Sequence, residues 1–504
     1  MRKRSNILLC LLKCLLLLIL LVSAVCFTSS IWYIHTYGNT GFDSIVYTLT
    51  AKLDGVEKGL IFDFLEQGLF NGLILWGVFG FLLFWPFRMH LQMTLFGRVK
   101  LKLYPLPLIL SGLAAALVSG AFLKNAAENV KLSEYVESIR NPSTFYEDYY
   151  INPNDVEISF PEQKRNLIYI YLESMETTYF SENEGGGLEE NIIPELYQLA
   201  EENLNFSHNA AVGGFESAPG TTWTIGAMVG HTSGVPLKML PGQEENQLGN
   251  DGSILPGVTA LSDILRENGY YQALMLGSDA EFGGREQYFE GHGIDRIYDY
   301  DTAQEDGIIP EGYFVWWGME DEYLFEYAKQ ELPKIADREE PFAFTMLTVD
   351  THRTDGYVCD RCEDKYDEQY ENVNVCSSRQ VYEFVQWLQQ QDFYENTTVV
   401  IAGDHLTMDG AYISRQVDMD YERHVYNCFM NVPVQARNSK NRRFCALDMF
   451  PTTLGALGCS IDGDRLALGT NLFSDRATLM EELGVEEFNR GEAAFSQFYF
   501  DQFE

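Results

Sequence analysis

Positive charge is scarce: 35 Lys and Arg stand against 73 Asp and Glu, a formal net charge of −38 at pH 7. So acidic a chain repels phosphate backbones and has few cations with which to displace counterions, which argues against nucleic-acid binding. No internal repeat is visible, so solenoid and propeller architectures are set aside. A single CxxC pair occurs, Cys359 and Cys362, with neither a second pair nor flanking histidines, which is weak support for a zinc or redox motif. Apolar residues are not lacking. At 46% hydrophobic and 14% aromatic, the 504 residues carry too much apolar surface for a disordered acidic tail.

The charge is unevenly spread. Through residue 123 the basic residues outnumber the acidic ones ten to five, so the acidic excess lies wholly in residues 124–504. The same N-terminal part holds three apolar runs, 7–27, 68–86 and 104–123, each long enough to cross roughly 30 Å of hydrocarbon as a helix. A secretory signal peptide also places basic residues before an apolar run, but the two further runs favour spans. The MRKR start, and Arg88, Arg98, Lys100 and Lys102 between the second and third runs, belong on the cytoplasmic side. Three spans then leave residues 124–504 outside, where an oxidising compartment permits disulfides among Cys359, Cys362, Cys376, Cys428, Cys445 and Cys459. The loop 29–67 is expected to lie along the outer membrane face.

Residues 124–160 read as a helical stalk and linker, and 161–504 as one large α/β domain. The runs 166–173, 271–278, 342–350 and 398–405 are continuously apolar, the pattern of parallel strands covered by helices on both faces. Helical spacing recurs at 261–268, 320–332, 378–390 and 447–457. In such sheets the reactive groups gather outside the carboxyl ends of the strands. Those ends hold Glu173, then Asp350 with His352, then Asp404 with His405. Any one of these acids alone reads as a cap or turn residue, but together they describe a metal site. His231 and His292 match no such position and are assigned to packing or surface. In SAPGTTWTIGAMVG (217–230) the Pro-Gly pair precedes a helical run, which puts Thr221 or Thr222 at a helix N-terminus, where a hydroxyl facing a cation is best stabilised as an alkoxide.

Five segments in order, NLIYIYLES, APGTTWTIGAMVG, GSDAEFGGREQYFEGHGI, TVDTHRTDGY and VVIAGDHLTMDG, resemble the phosphoglycerol transferase I enzymes and the wider lipoteichoic acid synthase family of the alkaline phosphatase and sulfatase superfamily. The resemblance runs over roughly 160–475. It implies that superfamily's mostly parallel sheet flanked by helices behind a three-helix transmembrane region, in a bacterial inner membrane with the catalytic domain periplasmic. It implies Glu173, Asp404 and His405 as metal ligands and Thr221 as the nucleophile, itself touching the metal, with Thr222 as the alternative one position on. Arg285 and His352 are implied at the phosphate and glycerol of the substrate. Where Arg353 and Thr354 stand, the family pattern has a second His followed by Pro, so head-group and acceptor preference stay open. Cys362 with Cys376 is the first pairing to test.

The oxygen-rich ligand set with one imidazole suits Mn2+, Mg2+ or Zn2+, with Mn2+ the first expectation. The implied reaction moves glycerol phosphate from phosphatidylglycerol to an exported glycan or glycolipid through a phosphoglycerol-threonine intermediate. Glycerol phosphate polymerisation and phosphoethanolamine transfer share this chemistry. A sulfatase reaction is disfavoured because no cysteine begins a CxPxR sequence. A catalytically silent, cation-binding scaffold is the reading of another class. An anionic lipid is a poor electrostatic match for this acidic domain, but tethering to the bilayer confines donor and site to one surface.

Overall fold

The computed structural model describes residues 2–37, 62–84, 92–95, 99–102, 106–238, 254–352, 354–418 and 420–504. Arg88, Arg98, Arg353 and most of the loop 29–67 lie outside the described residues, and with them much of the basis for orientation.

The chain forms two compact units, dividing near residue 136. In the first, three helices are long and apolar enough to cross a membrane, over Leu11–Ile34, Phe64–Leu83 and Ile109–Asn129. They belong to α1 (Arg2–Tyr37), α2 (Asn71–Phe84, entered through a π-helical turn at Phe64–Phe70) and α3 (Leu106–Asn129). Leu11, Leu15, Leu18, Leu82 and Leu117 face outward, as lipid-facing side chains do. Inward, Gly72 lets α2 approach α1 so closely that a Cβ there would lie 2.8 Å from the Val25 Cα. The Thr28 hydroxyl donates to the Gly68 carbonyl at 2.5 Å and the Trp76 indole to the Leu17 carbonyl at 2.9 Å.

The second unit is built on a six-stranded sheet. Its strands are β1 (Asn166–Leu172), β2 (Tyr271–Leu276), β3 (Arg296–Tyr298), β4 (Phe342–Leu347), β5 (Thr397–Gly403) and β6 (Asn427–Met430). The order is β3-β2-β4-β1-β5-β6, parallel throughout except for β6, which runs antiparallel to β5. The four expected strands are all present, one to three residues shorter at their carboxyl ends. Too short to show a period, β3 and β6 went unread.

Alternation along β1 divides the core: Leu167, Tyr169 and Tyr171 enter one apolar cluster while Ile168, Ile170 and Leu172 enter the other. Both faces are therefore buried, which is why the strands read as unbroken apolar runs. Helices α4 (Pro194–Glu202), α5 (Thr224–Ser233), α6 (Leu261–Glu267), α7 (Arg285–Gly291), α8 (Asp321–Ala336), α9 (Gln369–Leu388) and α10 (Met449–Ala456) pack in the same unit. His231 and His292 are both buried. His231 Nδ1 meets the Tyr169 hydroxyl at 2.9 Å, and His292 Nδ1 meets Asp263 Oδ2 at 2.7 Å.

Candidate active site

The strand order places three informative strand ends side by side. With β1 between β4 and β5, Glu173 follows β1, Asp404 and His405 follow β5, and His352 follows β4. Ligating atoms of Glu173, Asp404 and His405 all lie within 4.8 Å of one another, and the three residues are buried.

Each of the three side chains is held by its surroundings. The Glu173 amide donates to Thr348 Oγ1 at 3.0 Å and its carbonyl accepts from Thr351 Oγ1 at 2.5 Å. Ser174, in the left-handed region at φ 54°, turns its amide onto Asp404 Oδ1 at 2.8 Å and its hydroxyl onto Glu173 Oε1 at 2.9 Å. Asp404 Oδ1 also accepts the His405 amide at 2.7 Å. His405 Nδ1 lies 2.9 Å from the Leu406 carbonyl, so Nδ1 carries a proton and Nε2 is the ring nitrogen that faces the site. That Nε2 is 3.5 Å from Glu173 Oε1 and 3.3 Å from Asp404 Oδ2.

These residues fit a divalent cation. Asp404 Oδ2 is buried and receives no hydrogen bond, an expensive arrangement for a carboxylate unless a cation faces it. Burial first, and the Asp404 charge second, raise the Glu173 carboxyl above its ordinary value. Burial pulls the His405 imidazole down, but Asp404 and Glu173 together leave it raised. Two carboxylates and an imidazole suit Mn2+, Mg2+ or Zn2+ alike.

The hydroxyl brought to this cluster belongs to Thr224. Thr224 is the first residue of α5, and its Oγ1 lies 3.2 Å from Glu173 Oε2 and 3.4 Å from His405 Nε2. The Thr221 hydroxyl is engaged differently: the residue is buried and its hydroxyl donates to the Ala218 carbonyl at 2.8 Å. Thr222 is half-buried in the turn before the helix. The helix starts later than the Pro-Gly signal suggested because Gly220, at φ 71°, first turns the chain and Trp223 takes the cap position in extended conformation. Sequence reading passed over Thr224 because it follows an aromatic residue with no capping side chain. The one signal for it was its place directly before the helical run IGAMVG.

Asp350 is the strand-end acid that does not join the cluster. Its Oδ1 accepts the Asp321 amide at 3.1 Å, satisfying a free donor in the first turn of α8, and Asp321 Oδ1 accepts the Val349 amide at 2.7 Å in return. Asp350 thus serves the start of a helix distant in sequence, with Glu320 at the cap position, and burial raises both carboxyls.

Arg285 opens α7 and is buried, donating from Nε to the Phe282 carbonyl at 2.9 Å and from Nη2 to the Asp279 carbonyl at 2.6 Å. Its guanidinium lies over the Phe282 ring at 5.6 Å. The Phe282 ring packs on Trp317 at 5.1 Å, and Trp317 on His352 at 4.5 Å, a continuous aromatic wall from Arg285 to His352. His352 acts electrostatically on Glu173, lowering its carboxyl.

The family model described as Sulfatase matches residues 165–459, more than half of the chain. Phosphoglycerol transferase I of Xanthomonas campestris pv. campestris strain B100 is 33% identical over 275 residues, covering 52% of this chain and 38% of its own length. The Salmonella choleraesuis protein of that name is 29% identical over 368 residues, covering 71% of this chain and 45% of its own. The chain thus spans under half the length of these curated relatives. The lipoteichoic acid synthase LtaP of Listeria monocytogenes shares the fold, with a TM-score of 0.51 at 16% identity over 72% of this chain and 98% of its own. The parallel sheet, the acids and imidazole gathered at its carboxyl edge and the extent of the match agree: the chain belongs to the Sulfatase family.

Proposed function

We propose that this protein is a membrane-bound phosphoglycerol transferase that moves glycerol phosphate from phosphatidylglycerol to an exported glycan, with Thr224 as nucleophile. The observation that carries the reading is the Thr224 hydroxyl at the N-terminus of α5, within 3.4 Å of both Glu173 and His405. The names of the curated relatives supply the group transferred. Residues 7–27, 68–86 and 104–123 are taken as spans of a bacterial cytoplasmic membrane, 124–160 as stalk and linker, and 161–504 as the extracytoplasmic catalytic domain.

Glu173, Asp404 and His405 would hold a divalent cation, Mn2+ in the first instance, with the Thr224 hydroxyl within 3.4 Å of Glu173 and His405. A bound divalent cation lowers the cost of an alkoxide on the neighbouring hydroxyl. The Thr224 hydroxyl gives up its proton as its oxygen attacks the phosphodiester phosphorus, its bond to phosphorus forms as that to the diacylglycerol oxygen breaks, and the leaving alkoxide takes up a proton in exchange. The peptide N–H groups at the start of α5 present the positive end of the helix to the phosphoryl oxygens. Arg285 balances their charge and His352 orients the glycerol or moves a proton. A hydroxyl of the acceptor then attacks the phosphoglycerol-threonine and frees Thr224.

Intact-mass spectrometry of the purified chain with Mn2+ and phosphatidylglycerol tests this. A glycerol phosphate adduct mapping to the Thr224 peptide, absent in Thr224→Ala, is expected. Absence of both adduct and diacylglycerol release with Mn2+, Mg2+ and Zn2+ would refute the donor.

A further inference from the structure

Away from the candidate active site, a second cluster of ligating groups stands in the same unit. The Sγ of Cys359 is 3.6 Å from that of Cys362 and 3.7 Å from that of Cys376, and all three sulfurs lie within 4.8 Å of one another. Cys359 and Cys376 are buried and Cys362 is half-buried. All three are thiols, so the Cys362–Cys376 pairing expected from sequence is not made, and the third sulfur leaves no simple pairing to prefer. Cys428, Cys445 and Cys459 are buried thiols as well.

The surroundings favour charge on Cys359, and its hydrogen bonds with Cys362 and Cys376 hold those two thiols up. The backbone N–H groups of Arg361 and Cys362 are directed at Cys359 Sγ. The Gln380 amide nitrogen lies 3.5 Å from Cys376 Sγ and 3.9 Å from Cys359 Sγ, and Arg379 Nη2 lies 3.9 Å from Cys376 Sγ. A tight Cys-x-x-Cys turn whose amides point back at its first sulfur, with side-chain donors and one cation beside it, stabilises a thiolate at Cys359. The spacing also fits a metal. Four-coordinate zinc with Zn–S of about 2.3 Å sets neighbouring sulfurs about 3.8 Å apart.

We propose that Cys359, Cys362 and Cys376 form a thiolate site for Zn2+, separate from the Glu173–Asp404–His405 cluster, with the fourth position filled by solvent on the Cys362 side. Binding releases the three thiol protons and requires no oxidant. The site is structural in consequence. It fastens the loop 354–368, which begins just after His352, to α9, which carries Cys376. Oxygen ligands and one imidazole occupy one cluster and sulfur alone the other, so the two sites prefer different ions. The proposal does not depend on which reaction the active site performs.

The test uses the full chain in detergent, carrying Glu173→Gln and His405→Ala so that the first cluster is disabled, stripped with chelator and loaded with Co2+. One equivalent is expected to bind with an intense thiolate-to-cobalt charge-transfer absorption, displaced by Zn2+. Cys376→Ser in the same background is expected to lose it. To guard against misfolding of that variant, alkylation is measured on its Cys376 parent: Zn2+ is expected to protect three cysteines that react in the metal-free protein. No charge-transfer band in the parent, no protection by Zn2+, or a disulfide-linked peptide among the three in protein isolated without reductant would each overturn the site.

Discussion

Removing the hydroxyl from Thr224 and from Thr221 separately asks which of two threonines, three positions apart, is the nucleophile. Thr224 Oγ1 stands 3.2 Å from Glu173 Oε2 and 3.4 Å from His405 Nε2, whereas Thr221 Oγ1 is committed to the Ala218 carbonyl at 2.8 Å. Loss of a covalent nucleophile costs about four to six orders of magnitude in kcat, or roughly 5 to 8 kcal/mol of barrier at about 1.4 kcal/mol per tenfold. Thr224→Ala is expected to show that loss with its thermal midpoint little changed, since Thr224 is only half-buried. Thr221→Ala forfeits one buried hydrogen bond, about 1 kcal/mol of stability, and is expected to keep activity within about tenfold of wild type. Release of diacylglycerol from labelled phosphatidylglycerol reads both, and circular dichroism on heating checks folding. A Thr224→Ala enzyme that turns over normally beside a dead but folded Thr221→Ala enzyme would refute the assignment.

Three further outcomes rest on the same geometry. At Gly403, the last residue of β5, an added Cβ would sit 2.0 Å from the Met175 carbonyl oxygen, so Gly403→Ala is expected to shift Asp404, cost about 1 to 3 kcal/mol and weaken Mn2+ binding, as calorimetry would report. Burial pushes the Asp321 carboxyl up to about 7 from an ordinary 3.8. The native Asp321–Asp350 pair then keeps a proton that the unfolded chain has released, so stability falls as pH rises above the ordinary carboxylate range; Asp321→Asn is expected to flatten that decline in denaturant titrations. Glu173→Gln removes one of two adjacent buried carboxylates, so the chelated variant is expected to melt above chelated wild type and to gain nothing from added Mn2+, whereas an unchanged metal-induced rise in melting temperature would exclude Glu173 as a ligand.

Much of this protein is legible in its sequence because the signals are local. Unbroken apolar runs such as NLIYIYL have to be covered on both faces, and that requirement leads to a parallel sheet with acids at its strand ends. Glu173, Asp404 and His405 are legible for that reason. What tertiary structure decided is how separate ends meet. The strand order sets β1 between β4 and β5, so Glu173 reaches Asp404, while Asp350 turns aside to the start of α8. The point at which α5 begins brings the Thr224 hydroxyl to Glu173 and leaves that of Thr221 on the Ala218 carbonyl, a placement that spacing within a single turn does not encode. The meeting of Cys376 with Cys359 and Cys362 likewise depends on where α9 docks. Periodicity is a property of neighbours in the chain, but a site is made by side chains far apart in sequence, and the packing of the two apolar clusters against the sheet brings them within reach.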